Sequence, residues 1–220
     1  MIQAFIVRVL LPLMKDFIVL GVGLFLFYSC GSESEKQVSD FPSKFQQSFG
    51  SDSLEWVKTV RTEIARQSPQ SDIGLYSKAW LLAQNGDRSR ALKTADSLVM
   101  GFPAFDKGLY LRANLRMEQN DPDGALHDFD KAIKKNPDFF EAYINRGSLH
   151  FKLGHTEMAL KDFEKAFTLK ANQKQVFLNL GNAYISLGDV TKACTAWQKA
   201  DSLSAPEAKA LLVKFCTTKP

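Results

Sequence analysis

A repeat of 34 residues runs along most of this chain and restricts the folds open to it. From Asp72 onward, residues of similar size return at the same place in four consecutive units, with no insertion or deletion. The small residues form the clearest columns: Ala79, Ala113, Gly147 and Gly181; Ala91, Ala125, Ala159 and Ala193. A period of roughly 20 to 50 residues is typical of chains that stack identical supersecondary units.

Large residues stand beside the small ones in each unit. They occupy two further columns: Leu75, Leu109, Tyr143 and Phe177; Phe129, Phe163 and Trp197. Small side chains at fixed positions let two helices approach closely, and large neighbours fill the remaining space. The first unit departs from this pattern, because Ala95 stands in the column of large residues. Leu98 stands in a further column that is otherwise small: Ala132, Ala166 and Ala200.

The turn inside each unit also repeats. It contains Gly86-Asp87, Asn120-Asp121, Gly154-His155 and Gly188-Asp189. Glycine and asparagine tolerate the left-handed backbone that ends a helix, and an aspartate after them can cap the next helix. Pro69, Pro103 and Pro137 lie one period apart and end the second helix of a unit.

The combination of a small residue, an aromatic residue, a Gly-Asp turn, alanines and a proline at this period resembles the tetratricopeptide-repeat (TPR) family from Asp72 to about Ala205. The resemblance implies an all-α fold, a solenoid of helix-turn-helix units that forms an α-α superhelix. We expect four repeats at 72–105, 106–139, 140–173 and 174–205. A half-unit helix at 52–70 precedes them, and a capping helix at 206–217 closes the last apolar face.

The amino-terminal segment predicts export. An apolar run from Phe17 to Phe27 is shorter than the roughly 20 residues that span a bilayer. Ser29-Cys30 follows, and this pattern resembles the lipobox of bacterial lipoproteins in the loosened form of the Bacteroidota. The resemblance implies a signal peptide at 1–29, read from Met1 or Met14, a lipidated Cys30 and a flexible tether at 30–51.

An uncleaved membrane anchor counted from Ile2 is the alternative. The lipoprotein interpretation predicts a lipid-anchored protein of the bacterial cell envelope, at the outer membrane. Its periplasmic and surface-exposed orientations both remain open.

The sequence favours no catalytic role. It has no nucleophile elbow, zinc-protease motif or phosphate-binding loop, and its cysteines and histidines lack the spacing of a zinc site. We therefore expect no enzyme, no cofactor and no small-molecule substrate, and we interpret His127, His150 and His155 as surface or packing residues. A net charge of +4 spread over the chain does not indicate nucleic-acid binding.

The TPR resemblance implies that the concave face, built from the first helix of each repeat, binds partners. The candidate groove residues on it are Tyr76, Trp80, Tyr110, Asn114, Asn145, Phe151, Asn179 and Asn182. Asparagine offers a donor and an acceptor, so a row of them can pair with an extended peptide backbone. A carboxylate clamp of the family is not expected, because Tyr110, Gln175 and Asn179 stand where it has cations.

These features predict a lipid-anchored adaptor that holds a protein or peptide partner in its groove. The alternative is a structural subunit of a larger envelope assembly that contacts partners through its convex face or its ends. Groove substitutions distinguish the two hypotheses.

Two further kinds of side-chain pairing are predicted. Folding the chain back at 204–206 places Cys194 opposite Cys216, which predicts a disulfide in an oxidising compartment; two buried free thiols are the alternative. Arg112 and Arg146 share one column, and we expect each to pair with the aspartate of its own second helix, Asp128 or Asp162.

Overall fold

The computed structural model describes residues 52–216, with side chains from residue 57 onward. The predicted signal peptide, Cys30 and the predicted tether lie outside these residues. The chain divides into two compact units, 1–57 and 58–220. Of the first unit, only the beginning of a helix is described, and the repeats belong to the second.

Every regular element between residues 52 and 216 is an α-helix, so the predicted all-α fold is confirmed. The ten described helices are α1 (Asp52–Gln67), α2 (Asp72–Gln84), α3 (Arg88–Gly101), α4 (Asp106–Glu118), α5 (Pro122–Lys135), α6 (Phe140–Lys152), α7 (Thr156–Leu169), α8 (Lys174–Ser186), α9 (Val190–Ser202) and α10 (Pro206–Cys216).

The helices pack in pairs that stack along the chain. α2 packs on α3, α4 on α5, α6 on α7 and α8 on α9, and each second helix also contacts the first helix of the next pair. The four pairs coincide with the four repeats, and α10 packs on α9 at the carboxyl end. The first helices α2, α4, α6 and α8 therefore lie side by side and form one face of the solenoid.

The turns within the pairs have the backbone that the sequence predicted. Their positive φ angles are 81° at Gly86, 60° at Asn120, 80° at Gly154 and 82° at Gly188. The carboxylates of Asp87, Asp121 and Asp189 each accept a hydrogen bond from the backbone N–H three residues ahead. His155 makes no such bond at the start of α7, so of the four turns within the pairs only the three with an aspartate have this side-chain cap.

The small columns let the paired helices touch. A Cβ atom built on Gly147 would lie 2.7 Å from Cε1 of Phe163, and one on Gly181 would lie 2.3 Å from Nε1 of Trp197. Both separations are too short for non-bonded atoms, so no side chain fits at these positions without displacing a buried aromatic ring. The glycines therefore set the distance between the helices of the third and fourth repeats.

The first repeat packs differently from the other three. Ala95 and Leu98 are both fully buried, so the large residue lies one helical turn further along α3 than in the other repeats. A Cβ atom on Gly108 would approach Leu98 to 3.1 Å, which places Leu98 against the first helix of the second repeat. Leu98 thus fills the boundary between the first two repeats.

The capping helix covers the last repeat. Leu211, Leu212 and Phe215 of α10 pack on the core around Trp197, and the rings of Trp197 and Phe215 lie 5.5 Å apart. In the structure, the sulfur atoms of Cys194 and Cys216 are bonded, with their Cα atoms 5.8 Å apart. α10 is therefore held to α9 by both apolar contact and a covalent link.

The predicted ion pairs within the repeats are confirmed. Arg112 donates two hydrogen bonds of 2.7 Å to the carboxylate of Asp128, and Arg146 binds Asp162 in the same bidentate way. Charge-assisted bidentate bonds of this kind hold one geometry.

Between residues 52 and 216, no helix combines the length and the apolar character that crossing a bilayer requires.

Candidate functional site

The candidate groove residues all lie on the first helices of the repeats, on the face defined above. Tyr76 and Trp80 belong to α2, Tyr110 and Asn114 to α4, Asn145 and Phe151 to α6, and Asn179 and Asn182 to α8. The structure divides them into three groups with different surroundings.

The central group is a hydrogen-bonded cluster of Tyr110, Asn114 and Asn145, which we call the amide cluster. Asn145 Nδ2 donates to the hydroxyl of Tyr110 at 3.0 Å and to Oδ1 of Asn114 at 2.8 Å. Both amide protons of Asn145 are thereby used between the second and third repeats. Its Oδ1 has no hydrogen-bond partner in the part of the chain that the structure describes, so it is a fixed acceptor on the groove face.

The ring of Tyr110 packs between this cluster and the hydrophobic core. Its ring centroid lies 5.0 Å from that of Phe139 and 6.0 Å from that of Phe129. Burial raises the pKa of the Tyr110 hydroxyl above its usual value, and the group therefore stays protonated. Tyr110 was predicted as a groove residue; the structure packs its ring against the core and leaves its hydroxyl in the amide cluster.

The second group, Tyr76 and Trp80, lies at the amino-terminal end of the groove face and is in contact with a cation. The guanidinium of Arg61 in α1 lies 5.0 Å from the ring centroid of Tyr76 and 4.6 Å from that of Trp80. These distances are within the range of cation–π attraction. Tyr76 also packs edge-on against Phe105 at 5.8 Å, so both aromatic candidates are engaged within the domain.

Arg61 is a residue that sequence reasoning missed. It is only 7% exposed, its Nε has no hydrogen-bond partner, and burial lowers its pKa. A signal was present, because Arg61 stands one period before Ala95 and two before Phe129, in the column of buried large residues. An arginine in that column predicts a buried cation that needs aromatic or acidic neighbours.

The third group lines a pocket between α6 and α8, which we call the α6–α8 pocket. It has a volume of about 190 Å³ and is lined by Ser148, Phe151, Lys152, Phe163, Asn179 and Asn182. Phe163 is buried and Phe151 half-buried, so the two rings give the pocket an apolar floor. Of these lining residues, Phe151, Asn179 and Asn182 were predicted on the groove face, whereas Lys152 and Phe163 were not predicted at this site.

The polar groups of this pocket are mostly unpaired. Asn179 Oδ1 accepts a hydrogen bond from Gln175 Nε2 at 3.1 Å, whereas its Nδ2 is shielded from solvent and has no partner. Among the described residues, neither the side chain of Asn182 nor that of Lys152 has a hydrogen bond or ion pair. The pocket therefore presents donors above an apolar floor.

The histidines occupy the environments that the sequence suggested. His127 is exposed, and His150 is buried with its ring centroid 5.8 Å from that of His155. Burial lowers the pKa of His150 below its usual value. Within residues 52–216, no three residues among His, Cys, Asp and Glu are grouped so as to hold a metal ion.

Comparison with known proteins identifies the repeats. Residues 110–173 match one tetratricopeptide repeat family model, and residues 175–201 match a second. These matches confirm the TPR repeats predicted from the sequence. No curated protein sequence matches the chain.

Solved structures show the same fold. A crystal structure of MamA has a TM-score of 0.59 and 16% identity, and the match covers 82% of this chain and 99% of that one. The first TPR of Spaghetti (RPAP3), bound to the HSP90 peptide SRMEEVD, has a TM-score of 0.53 and 23% identity over 54% of this chain and 94% of that one. At such identities the likeness establishes the fold and nothing more specific.

Proposed function

We propose that this TPR solenoid is an adaptor that holds an extended segment of a partner protein along the face formed by α2, α4, α6 and α8. The observation that carries the proposal is the row of amide side chains on this face, at Asn114, Asn145, Asn179 and Asn182. Amides pair with a peptide backbone whatever its side chains. The peptide-bound RPAP3 repeat, which has the same fold, supports this assignment.

The amide cluster favours binding because it is already ordered. Asn145 is held by two hydrogen bonds in the free protein. Its side chain therefore loses little further conformational freedom when a partner binds. Pre-ordered contacts improve affinity by reducing this entropic cost. The partly buried ring of Tyr110, which packs against the core, keeps the cluster in place.

We further propose that the adaptor is tethered to the bacterial outer membrane by a lipid on Cys30. Support comes from the short apolar run and Ser29-Cys30 in the sequence. The bond between Cys194 and Cys216 also fits this location, because disulfides form and persist outside the reducing cytoplasm. The partner is then a protein of the periplasm or the cell surface.

Photocrosslinking in cells tests the groove. A photoreactive amino acid in place of Asn182, which makes no hydrogen bond among the described residues, should form an adduct with a discrete protein identified by mass spectrometry. The matched control places the same group at Lys134, which is exposed on the second helix α5. Identical adducts from both positions, or none from Asn182, would argue against groove binding.

Substitution separates binding from folding. Asn182→Ala should weaken recovery of the partner in a pull-down without changing the melting temperature. Asn145→Ala should weaken it as well but also lower stability, because each lost hydrogen bond costs roughly 0.5–1.5 kcal/mol. If neither variant alters partner capture, the partner contacts another surface.

Lipid labelling tests the anchor. Cys30→Ala should abolish incorporation of a fatty-acid analogue and leave an unprocessed precursor. Cys194→Ser is the matched control, since it changes a cysteine elsewhere and should keep the label. Persistent labelling of Cys30→Ala would rule out lipidation at this residue.

One observation favours the structural-subunit alternative. Leu153, Met158, Leu187 and Val190 lie in or beside the turns of the third and fourth repeats and are between 39% and 51% exposed. In the column of Leu153, the first two repeats carry Asn85 and Gln119. The pair of substitutions Leu153→Gln and Leu187→Gln should release a partner bound at this edge and leave groove crosslinks intact.

A further inference from the structure

The α6–α8 pocket differs in chemistry from the amide cluster, and this difference indicates what it recognises. Taking the proposed groove function as its basis, we propose that the pocket receives an apolar side chain of the bound peptide, and that an Asp or Glu next to it in the peptide pairs with Lys152. This assigns a preferred peptide class to a groove that otherwise contacts the backbone.

The floor of the pocket selects an apolar group. The ring of Phe163 is almost fully buried beneath it, and Phe151 is half-buried at its side. The volume of about 190 Å³ exceeds the roughly 150 Å³ of an apolar cavity that holds a benzene molecule. A leucine or phenylalanine side chain therefore fits, and its burial there is favourable.

The wall of the pocket selects an acceptor. Asn179 Nδ2 is a solvent-shielded donor without a partner, and its Oδ1 is occupied by Gln175. An unpaired buried donor is costly until a ligand acceptor reaches it. A carbonyl of the peptide beside the inserted side chain would supply that acceptor.

The rim adds a charge and a complementary acceptor. Lys152 lies one helical turn beyond Ser148, and it has no ion pair among the residues described. No Asp or Glu lines the pocket. The Ser148 hydroxyl donates to the Ile144 carbonyl at 2.8 Å, so its oxygen can accept a peptide N–H. An acidic side chain beside the inserted residue matches this free ammonium.

Fluorescence anisotropy with the full chain in detergent tests the proposal. The probes are fluorescein-labelled, carboxyl-amidated twelve-residue Gly-Ser peptides with a central Leu-Glu, Leu-Gln, Ala-Glu or Leu-Lys pair. Amidation removes the terminal carboxylate as a competing ligand. We expect Leu-Glu to bind about three- to fivefold more tightly than Leu-Gln, which is the upper part of the range for an exposed ion pair, and Ala-Glu to bind more weakly than Leu-Glu.

Charge reversal sharpens the test. Lys152→Glu should make Leu-Lys the preferred peptide, whereas the control Lys134→Glu, on the exposed side of α5, should leave the order unchanged. Equal binding of Leu-Glu and Leu-Gln, or of Leu-Glu and Ala-Glu, would overturn this inference. If the peptides bind equally well but all bind more weakly to Asn145→Ala, the groove function survives without the pocket preference. If no peptide binds, both the pocket preference and the groove function are rejected.

Discussion

Arg146 connects two repeats, because its Nη1 donates a hydrogen bond of 2.7 Å to Oδ1 of Asp130 in the preceding repeat. Its other nitrogens hold Asp162 of its own repeat. Burial opposes the charged form, but these carboxylates outweigh it and raise the pKa of Arg146. The guanidinium is therefore a permanent cation that joins the second helices of two neighbouring repeats.

The same bridge occurs one repeat earlier, but the fourth repeat lacks it. Arg112 holds Asp128 and also donates to Asp96 of the first repeat at 3.1 Å. In the fourth repeat, the columns of the arginine and its own aspartate contain Leu180 and Ala196. Both partners are thus replaced together, so the replacement leaves no unpaired charge at these two positions.

This replacement predicts the effect of breaking the bridge. Arg146→Leu should destabilise the domain by about 3–5 kcal/mol, because Asp162 remains buried without its partner. The double variant Arg146→Leu with Asp162→Ala, the combination of the fourth repeat, should regain much of that loss. Urea unfolding measures both. The control is Lys170→Gln, which breaks the exposed ion pair of Lys170 with Glu141 and should change stability by about 0–1 kcal/mol. Equal destabilisation of the single and double variants would contradict the account.

A second prediction concerns the close approach of Gly181 and Trp197. Gly181→Ala should destabilise by about 1–3 kcal/mol, because its new methyl group overlaps the indole. Gly101→Ala is the matched control, since nothing lies within 4 Å of a Cβ atom there. Thermal melting of both variants checks the prediction, and a tolerated Gly181→Ala would show that the ring can move aside.

A third prediction follows from the lowered pKa of His150. Burial is the main cause; Arg146 and His155 add to it, whereas Asp162 and Asp130 oppose it. The unfolded chain therefore takes up a proton more readily, and stability should fall as the pH is lowered through about 6.5, the ordinary value for histidine.

His150→Leu, which copies Leu82 of the first repeat, should remove this part of the pH dependence. Melting temperatures between pH 7.5 and pH 5.5 measure it for the wild type, for this variant and for the exposed control His127→Leu. The control should behave as the wild type does. An unchanged slope in His150→Leu would assign the pH dependence to another group.

A fourth prediction concerns the link between α9 and α10. Thiol counting on the unreduced, denatured mature protein should find no free thiol from Cys194 or Cys216, and reduction should lower stability by about 3 kcal/mol in the chain-entropy model. The double variant Cys194→Ser with Cys216→Ser should be insensitive to reductant. Two reactive thiols in the untreated protein would exclude the bond.

The sequence by itself determined the architecture. Two constraints act at single positions. The backbone has a positive φ angle at Gly86 and Gly188, and Gly181 has no space for a Cβ atom. Each of them selects a residue type, so the choice is visible in the sequence. Repetition over four units multiplies the signal, and the helix pairs, their turns and the capping helix were therefore predictable.

Only the tertiary structure decided how the groove side chains are used. Asn145 meets Tyr110 and Asn114 across a repeat boundary, and Arg61 reaches the rings of Tyr76 and Trp80 from another helix. Such contacts depend on the rotamers and on the separation of stacked helices. Residue spacing along the chain encodes neither quantity, so the sequence predicted which residues share the face but not which of them remain free to bind.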